Sequence, residues 1–338
     1  MTEITRVAID TSKSVFTIHA VDARDRPVLR RNLRRQEVAG FFSELAPVEV
    51  AIEACGASHH WGRTLAAMGH SVRLIPAQYV KPFVKRGKND RNDAEAISEA
   101  AARPGMSTVP VKSAAQQAGA MLLSVRDLLV RQRTQLVNAL RGHASEFGLV
   151  APIGGKGLAQ VRADAATDAT LPAPAAEALA VLGGEIDRIE ARLATTDAKL
   201  LAAHKATPTS RMLAEIPGVG PIGALSMVLR VDFTQFKSGR HFASWLGLTP
   251  RDHSTGGKQR LGGITRAGDE GLRQLLVLGA TAVIQHAKPG RTSAWLLALL
   301  ERRPRKLAAV ALANKMARII WAMMTHGEAY RQTAPAKA

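Results

Sequence analysis

The sequence has few cysteines and aromatic residues, and each shortage excludes a class of protein. Cys55 is the single cysteine among 338 residues, which excludes an internal disulfide framework and a cysteine-rich zinc module. Aromatic residues make up 4% of the chain, too few for a platform on which nucleobases stack. No apolar run of about 18 residues lacks a charge or a breaker, and no signal-peptide pattern opens the sequence, so we expect a cytoplasmic protein without a membrane span.

Acidic residues are also scarce relative to basic ones. The chain has 46 Lys and Arg residues against 28 Asp and Glu residues, a formal net charge of +18. This balance is typical of proteins that bind nucleic acid, and phosphate contacts must then supply most of the affinity. With 46% hydrophobic residues the chain can build ordinary cores, and its length suggests two or three domains.

The first 112 residues alternate short strand patterns with helical ones, as an α/β domain does. We predict strands over 6–10, 15–21, 27–32, 48–53 and 71–76. The first three follow one another across short turns, and a helix over 36–45 precedes the fourth. Three consecutive strands followed by alternating helix and strand is the layout of a ribonuclease H-like sheet, whereas a Rossmann domain would alternate from the start.

The rest of the chain is mainly helical. One long helix is predicted over 113–148, and a second carries a heptad seam, so that 113–207 forms an antiparallel hairpin or a dimerisation arm. The seam consists of Leu179, Leu182, Ile186, Ile189, Leu193, Thr196 and Leu200. In the third part, 208–338, two apolar half-helices around a Gly-Val-Gly turn look like a helix-hairpin-helix. A loop-rich region over 246–263 and helices over 269–286, 292–300 and 305–325 follow.

Four acids stand out in the basic chain. Asp10 and Glu53 end the first and fourth predicted strands, and Asp90 and Asp93 lie three residues apart at the start of a helix, on one face of it. If the two strands pair side by side, Asp10 and Glu53 meet. Each acid alone is more typical of a cap or a turn, but four carboxylates in one place need a cation to neutralise them. Oxygen ligands of this kind suit Mg²⁺ or Mn²⁺, which promote in-line phosphoryl transfer.

Cations surround the third and fourth acids and would attract a nucleic-acid backbone. Lys85, Arg86, Lys88 and Arg91 are the candidate contacts. Charge runs of this kind are usually only a solvated surface, but this one adjoins the predicted metal site.

A second candidate region is the glycine-rich segment around Ser254. On its own, such a segment is more typical of a turn. A hydroxyl beside glycines, the adjacent His253 and several cations nevertheless favour a site for a phosphate. The cations are Arg251, Lys258, Arg260 and Arg266.

These motifs resemble the insertion-sequence 110 type transposases. Asp10 with Thr-Ser-Lys, Glu53 in Ile-Glu-Ala-Cys-Gly, and Lys-Asn-Asp-Arg-Asn-Asp-Ala match the Asp-Glu-Asp-Asp tetrad of that family. The run from Trp245, which contains Pro-Arg-Asp-His-Ser-Thr-Gly-Gly, is similar to the family's C-terminal domain. The resemblance covers nearly the whole chain.

The resemblance implies a ribonuclease H-like (RuvC-like) nuclease domain over 1–112, a coiled-coil arm over 113–207 and a C-terminal domain over 208–338 with a nucleophilic serine. It assigns the metal tetrad to the four acids and the nucleophile to Ser254, although Thr255 also carries a hydroxyl. It further implies donor and target DNA, a structured bridge RNA as guide, a homodimer that assembles into a homotetramer, and a bacterial, nucleoid-associated protein. We therefore expect an RNA-guided recombinase that cleaves and rejoins the DNA of a mobile element.

Three alternatives remain open. A RuvC-like, structure-specific nuclease would use the acids but not Ser254. An actin-like sugar kinase would share the strand order and a leading Asp, but no glycine-rich phosphate loop follows Asp10 and a charge of +18 is unusual for a metabolic enzyme. A non-catalytic relic would bind nucleic acid only, although the four acids and the serine remain.

Overall fold

A five-stranded mixed sheet organises the first part of the chain. The structure, a computed structural model, describes residues 3–85 and 90–331. The chain divides into two compact units, Met1–Gln116 and Gln117–Ala338. The three-domain division expected from the sequence stays a prediction.

The sheet follows the predicted strands closely. They are β1 Arg6–Asp10, β2 Val15–Val21, β3 Pro27–Arg34, β4 Glu49–Ala54 and β5 Ser71–Pro76. Their order is β3-β2-β1-β4-β5. β2 is antiparallel to β1 and β3, whereas β1, β4 and β5 are parallel. The five predicted strands are confirmed, with β3 two residues longer and β4 displaced by one.

Helices cover both faces of this sheet. They are α1 Val38–Ser43, α2 Ser58–Ala67, α3 Ala77–Val80 and α4 Asp90–Ala102, with a 3₁₀ turn over Lys81–Phe83. Large apolar side chains such as Ile9 and Ile52 pack with α1 and α2. The opposite face carries Ala8 and Ala51, whose small side chains let α4 pack close to the strands. α1 is two residues shorter at each end than the predicted helix over 36–45, and Pro47 prevents extension of the helix beyond that range because it disfavours helical backbone at Ala46.

Two long helices form a hairpin in the second unit. They are α5 Ala114–Ser145 and α7 Ala173–Ala206, and α6 Gly155–Thr167 lies between them in sequence. Ion pairs join Arg126 to Asp197 at 2.5 Å and Arg133 to Glu190 at 2.6 Å. From the first ion pair to the second, the residue number rises along α5 and falls along α7, so the two helices are antiparallel. The buried members of the predicted seam are Leu179, Ile186, Ile189, Thr196 and Leu200.

The remaining elements of this unit pack around one apolar cluster. They are α8 Pro208–Leu213, α9 Pro221–Arg230, α10 Gly239–Trp245, β6 Pro250–Asp252, β7 Leu261–Ile264, α11 Glu270–Gln285, α12 Ala294–Arg302 and α13 Arg305–His326. α8 and α9 are joined through a glycine turn, as expected. In that turn Gly218 has a φ of +88° and contacts Gly279 of α11 so closely that a Cβ on Gly279 would lie 1.8 Å from the Gly218 oxygen.

Two short strands form an antiparallel hairpin at the region predicted to be loop-rich over 246–263. β6 pairs with β7, with Pro250 opposite Ile264 and Asp252 opposite Leu261. These two strands were not predicted, because a glycine-rich strand such as Leu-Gly-Gly-Ile has few of the β-branched residues that mark a strand.

α13 is long and apolar enough to span a membrane by length and hydropathy alone. Its residues Ala313, Met316, Ala317 and Ile320 are nevertheless buried in the apolar cluster of the second unit, where α13 packs on α10 and α11. These contacts are those of a core helix.

Candidate catalytic site

The strand register brings Asp10 and Glu53 to the same place. β1 and β4 are parallel neighbours, and Ile9 is the partner of Ile52, so the next residue on each strand is one of these acids. Side chains alternate between the faces of a strand. Asp10 and Glu53 therefore share the α4 face with Ala8 and Ala51, and the expected meeting of the two strand ends is confirmed.

α4 carries Asp93 over the same face. Ile97, one helical turn later, packs with Ala8 and Ala51, so Asp93 lies on the side of α4 that faces the sheet. Burial raises the pKa of Glu53, and the nearby negative charge of Asp93 raises it further. Carboxylates from β4 and α4 thus lie close enough to repel each other.

This donor set fits a divalent metal ion. The groups are carboxylates on one face, oxygen ligands that Mg²⁺ and Mn²⁺ prefer, and the repulsion at Glu53 is what a bound cation relieves. Among the side chains that the structure describes, no three His, Cys, Asp or Glu residues form a metal-binding group. The side chain of Asp90 lies outside the described part, so the complete tetrad stays a prediction.

Ser254 lies at the exposed end of the β6–β7 hairpin. Its hydroxyl donates a hydrogen bond to the Asp252 carboxylate and accepts one from the Arg260 backbone N–H at 3.1 Å. Thr255 is in the turn itself, where its carbonyl oxygen accepts the Lys258 N–H at 3.0 Å. The choice between Ser254 and Thr255 as nucleophile stays a prediction.

Asp252 is a functional candidate that sequence reasoning missed. Its Oδ1 also accepts the Ser254 backbone N–H at 2.8 Å. The hydrogen bond from the Ser254 hydroxyl is the main cause that lowers the pKa of Asp252, and the backbone hydrogen bond lowers it further. Asp252 is therefore an ionised carboxylate in contact with the candidate nucleophile. The Asp-His-Ser spacing in the sequence was the signal that could have revealed it.

A buried arginine holds the base of this hairpin. Arg273 of α11 is 8% exposed, and its guanidinium donates to the carbonyl oxygens of Leu246 at 3.1 Å and Ala267 at 2.6 Å. These two residues precede β6 and follow β7. Gly268 lies beside them with a φ of +66°, and a Cβ there would lie 1.9 Å from the Trp245 oxygen. The base of the serine hairpin is therefore tightly fixed, while its end is exposed.

Comparison with known proteins assigns the family. One family model, DEDD_Tnp_IS110, described as a transposase, matches residues 7–148, and the Transposase IS116/IS110/IS902 family model matches residues 210–295. A putative transposase y4pF/y4sB of Sinorhizobium fredii is 53% identical over 98% of this chain and 86% of its own. The chain belongs to the IS110 family of transposases.

Two further relatives are similar over nearly their whole length. A probable family 20 transposase of Pseudomonas aeruginosa is 47% identical over 97% of this chain and 99% of its own. The transposase for insertion sequence element IS1111A of Coxiella burnetii is 39% identical over 98% and 92%. The protein is thus a transposase, an enzyme that transfers DNA strands and moves an insertion sequence, and its DEDD domain implies dependence on divalent metal.

In this IS110-family transposase the predicted cations have different surroundings. Lys85 donates to Glu95 at 2.7 Å and lies 3.6 Å from Glu99. Arg91 is exposed at the start of α4. Arg86 and Lys88 lie outside the described residues.

The cations of the hairpin are more uniformly placed. Arg251, Lys258, Arg260 and Arg266 are all exposed on it or beside it. They surround Ser254 along the chain, and their role in DNA binding stays a prediction.

Proposed function

We propose that this transposase is an RNA-guided DNA recombinase that cleaves and rejoins the strands of its mobile element with a metal-binding carboxylate tetrad and a serine nucleophile. The tetrad would be Asp10, Glu53, Asp90 and Asp93, and the ion Mg²⁺ or Mn²⁺. The observation that carries the proposal is the shared α4 face of Asp10 and Glu53, with Asp93 close enough to raise the pKa of Glu53.

The sheet supports a ribonuclease H-like, RuvC-like domain for this chemistry. Its order is β3-β2-β1-β4-β5, and β2 alone runs against the others. In such a sheet the C-terminal ends of the central parallel strands β1 and β4 face the same way, so acids within these strand ends are held by rigid backbone rather than by loops.

The serine step would use groups of the hairpin. Ser254 Oγ attacks a DNA phosphorus atom and forms a phosphoserine bond, while the bond from phosphorus to the leaving deoxyribose oxygen breaks. Asp252, which already accepts the hydroxyl hydrogen bond, takes the serine proton, and the leaving oxygen receives a proton from water. Asp10, Glu53 and Asp93 would hold the divalent ion, which would neutralise the charge of a phosphate bound at these carboxylates.

Composition and surface support the proposed partners. A net charge of +18 with 4% aromatic residues suits backbone contacts to DNA and to a structured guide (bridge) RNA, which would supply specificity by base pairing. Along α5, Met121, Val125 and Leu128 are exposed apolar residues at helical spacing. This stripe supports coiled-coil pairing of the α5–α7 hairpin in a homodimer that assembles into a homotetramer.

The proposal is tested by trapping the covalent intermediate. Purified protein is incubated with Mg²⁺, the RNA that flanks its element and end-labelled DNA, and adducts are resolved on a denaturing gel. We expect an adduct that disappears in Ser254→Ala and, separately, in Asp10→Ala. Ser293→Ala, which replaces another serine of the second unit, is the control and should keep the adduct.

The other outcomes distinguish the alternatives. Loss of the adduct in Thr255→Ala but not in Ser254→Ala would move the nucleophile by one residue. DNA cleavage and recombination undiminished in both variants would favour the structure-specific nuclease. Adduct formation without the RNA would contradict RNA guidance.

A further inference from the structure

A polar groove lies beside the carboxylates on the α4 side of the sheet. Its volume is about 240 Å³. Its lining includes Thr17 and His19 of β2, Arg30 and Asn32 of β3, and Arg91 of α4. Nothing in the proposed serine or metal chemistry uses these side chains.

The strand register fixes how the groove is related to Asp10. Asp10 is the partner of Thr17, and Thr17 is the partner of Asn32. The three residues therefore form one row across β1, β2 and β3 on the same face. Because neighbouring strands lie about 5 Å apart, the row extends roughly 10 Å from the candidate metal site to the edge of the sheet.

The next row of the groove contains an imidazole nitrogen without a hydrogen-bond partner. His19 is 3% exposed, and within residues 3–85 and 90–331 its Nδ1 has no partner. Burial and the nearby charge of Arg30 lower the pKa of His19, so the ring is neutral at neutral pH and carries one N–H. Buried polar atoms are nearly always satisfied in folded proteins, so this nitrogen is available to a group bound in the groove.

Two guanidinium groups make the groove positive. Arg30 is the partner of His19 across β2 and β3, and its side chain is 38% exposed. It lies 3.4 Å from Glu95, which is already bound more closely by Lys85 at 2.7 Å. Arg91 forms no ion pair with any residue that the structure describes. Planar guanidinium groups match the oxygens of a phosphate and bind it with paired hydrogen bonds.

We infer that this groove is a phosphate-binding subsite for the DNA strand held at the carboxylates, with Arg30, Arg91 and His19 as its contacts. The inference rests on the proposed function for the identity of the strand. A phosphate roughly 10 Å from the reacting one would be held by groups on the rigid sheet. This contact would fix the direction in which the strand crosses the carboxylates.

The neighbouring residue on β3 provides a matched control. Side chains alternate along β3, and Arg31 is the partner of Ile18, whose side chain is buried on the α1–α2 face. Arg31 therefore contributes backbone to the groove, while its side chain lies on the opposite face. Arg24 is exposed in the turn between β2 and β3. Arg31→Gln with Arg24→Gln removes the same charge as Arg30→Gln with Arg91→Gln.

The test measures binding of the full-length protein to a fluorescent single-stranded DNA of about 20 nucleotides by anisotropy, in EDTA, over a series of salt concentrations. For Arg30→Gln with Arg91→Gln we expect affinity to fall about 10-fold. The slope of log affinity against log salt should become shallower by about 0.7 for each phosphate that the variant no longer binds. The control pair of substitutions should change the affinity and the salt slope much less. Equal effects of the two pairs would overturn the inference.

His19→Leu separates binding from folding. Replacing an unsatisfied buried polar group with an apolar one should leave the melting temperature unchanged or raise it, while DNA affinity falls about threefold. A lower melting temperature with unchanged affinity would contradict the role of His19 and the inference with it.

An RNA oligonucleotide of the same sequence distinguishes the source of the phosphate. A loss of affinity for DNA, whether or not RNA is also affected, supports the inference, and a loss confined to RNA overturns it. Since binding in EDTA requires no cleavage, failure of the adduct experiment would remove the recombinase proposal without removing the groove. Equal effects of the control pair and the groove pair would remove the groove inference and leave the recombinase proposal in place.

Discussion

Gly279 and Gly223 are both helical glycines, yet replacing each with alanine should change stability in opposite directions. In an open helix the change from glycine to alanine stabilises by up to about 1 kcal/mol. Gly223 of α9 has one neighbour within 4 Å of its virtual Cβ, the Val219 Cγ1 atom at 3.9 Å, which is an ordinary contact. At Gly279 of α11 the added carbon would lie 1.8 Å from the Gly218 carbonyl oxygen, and backbone cannot rotate away as a side chain can.

The clash at Gly279 therefore outweighs the helix preference. Overpacking of this kind costs about 1–3 kcal/mol or more, so we expect Gly279→Ala to lower the free energy of unfolding by about 2 kcal/mol. For a unit of this size the melting temperature should fall by about 4–8 °C. Gly223→Ala should raise it by about 1–3 °C.

Thermal unfolding of the full chain checks this prediction. Tryptophan fluorescence is a suitable probe because Trp245, Trp295 and Trp321 lie in the second unit and only Trp61 lies in the first. An increase in melting temperature for Gly279→Ala, similar to that for Gly223→Ala, would refute the reasoning. It would mean that the turn after α8 is not packed against α11.

Three further predictions concern the hairpins. Arg273→Leu removes two charge-assisted hydrogen bonds and should destabilise the second unit by about 2–4 kcal/mol, with a lower adduct yield. Equal stability of variant and parent in urea unfolding would contradict the proposed role of Arg273 in holding the base of the hairpin. Asp252→Asn should slow adduct formation by Ser254 about 10- to 100-fold without changing the melting temperature, and an unchanged rate would exclude Asp252 as the proton acceptor. Arg133→Ala breaks an exposed pair with Glu190 and should cost less than about 1 kcal/mol, so a loss of several kcal/mol would show that the pair is more than a surface contact.

The first unit was predictable because its signals are local. Val-Ala-Ile-Asp and Val-Ala-Ile-Glu are short continuous apolar runs that end in an acid, which indicates both a buried strand and a position at its end. From the sequence alone, the pairing of β1 with β4 is an assumption that cannot be derived, because no local signal sets strand order. The register of Ile9 with Ile52 supplies that missing step.

Other parts of the candidate sites depend on contacts between distant residues. Arg273 in the sequence resembles any arginine of an amphipathic helix, and only its burial against two carbonyl oxygens shows its role. His19 occupies an ordinary strand position, and its unsatisfied nitrogen becomes visible only when β3 and α4 are packed around it. The β6–β7 hairpin escaped prediction because glycines, rather than β-branched residues, form one of its strands.

The position of α13 has a consequence for synthesis on the ribosome. Residues of this helix pack against α10, α11 and α12, so these earlier helices keep apolar surface uncovered until α13 has been translated. Domains fold as units during synthesis, N-terminal parts first. A nonsense mutation between the end of α11 at Gln285 and Arg305 should therefore yield a protein whose sheet folds while its serine hairpin lacks a stable base, and proteases would degrade the latter half first.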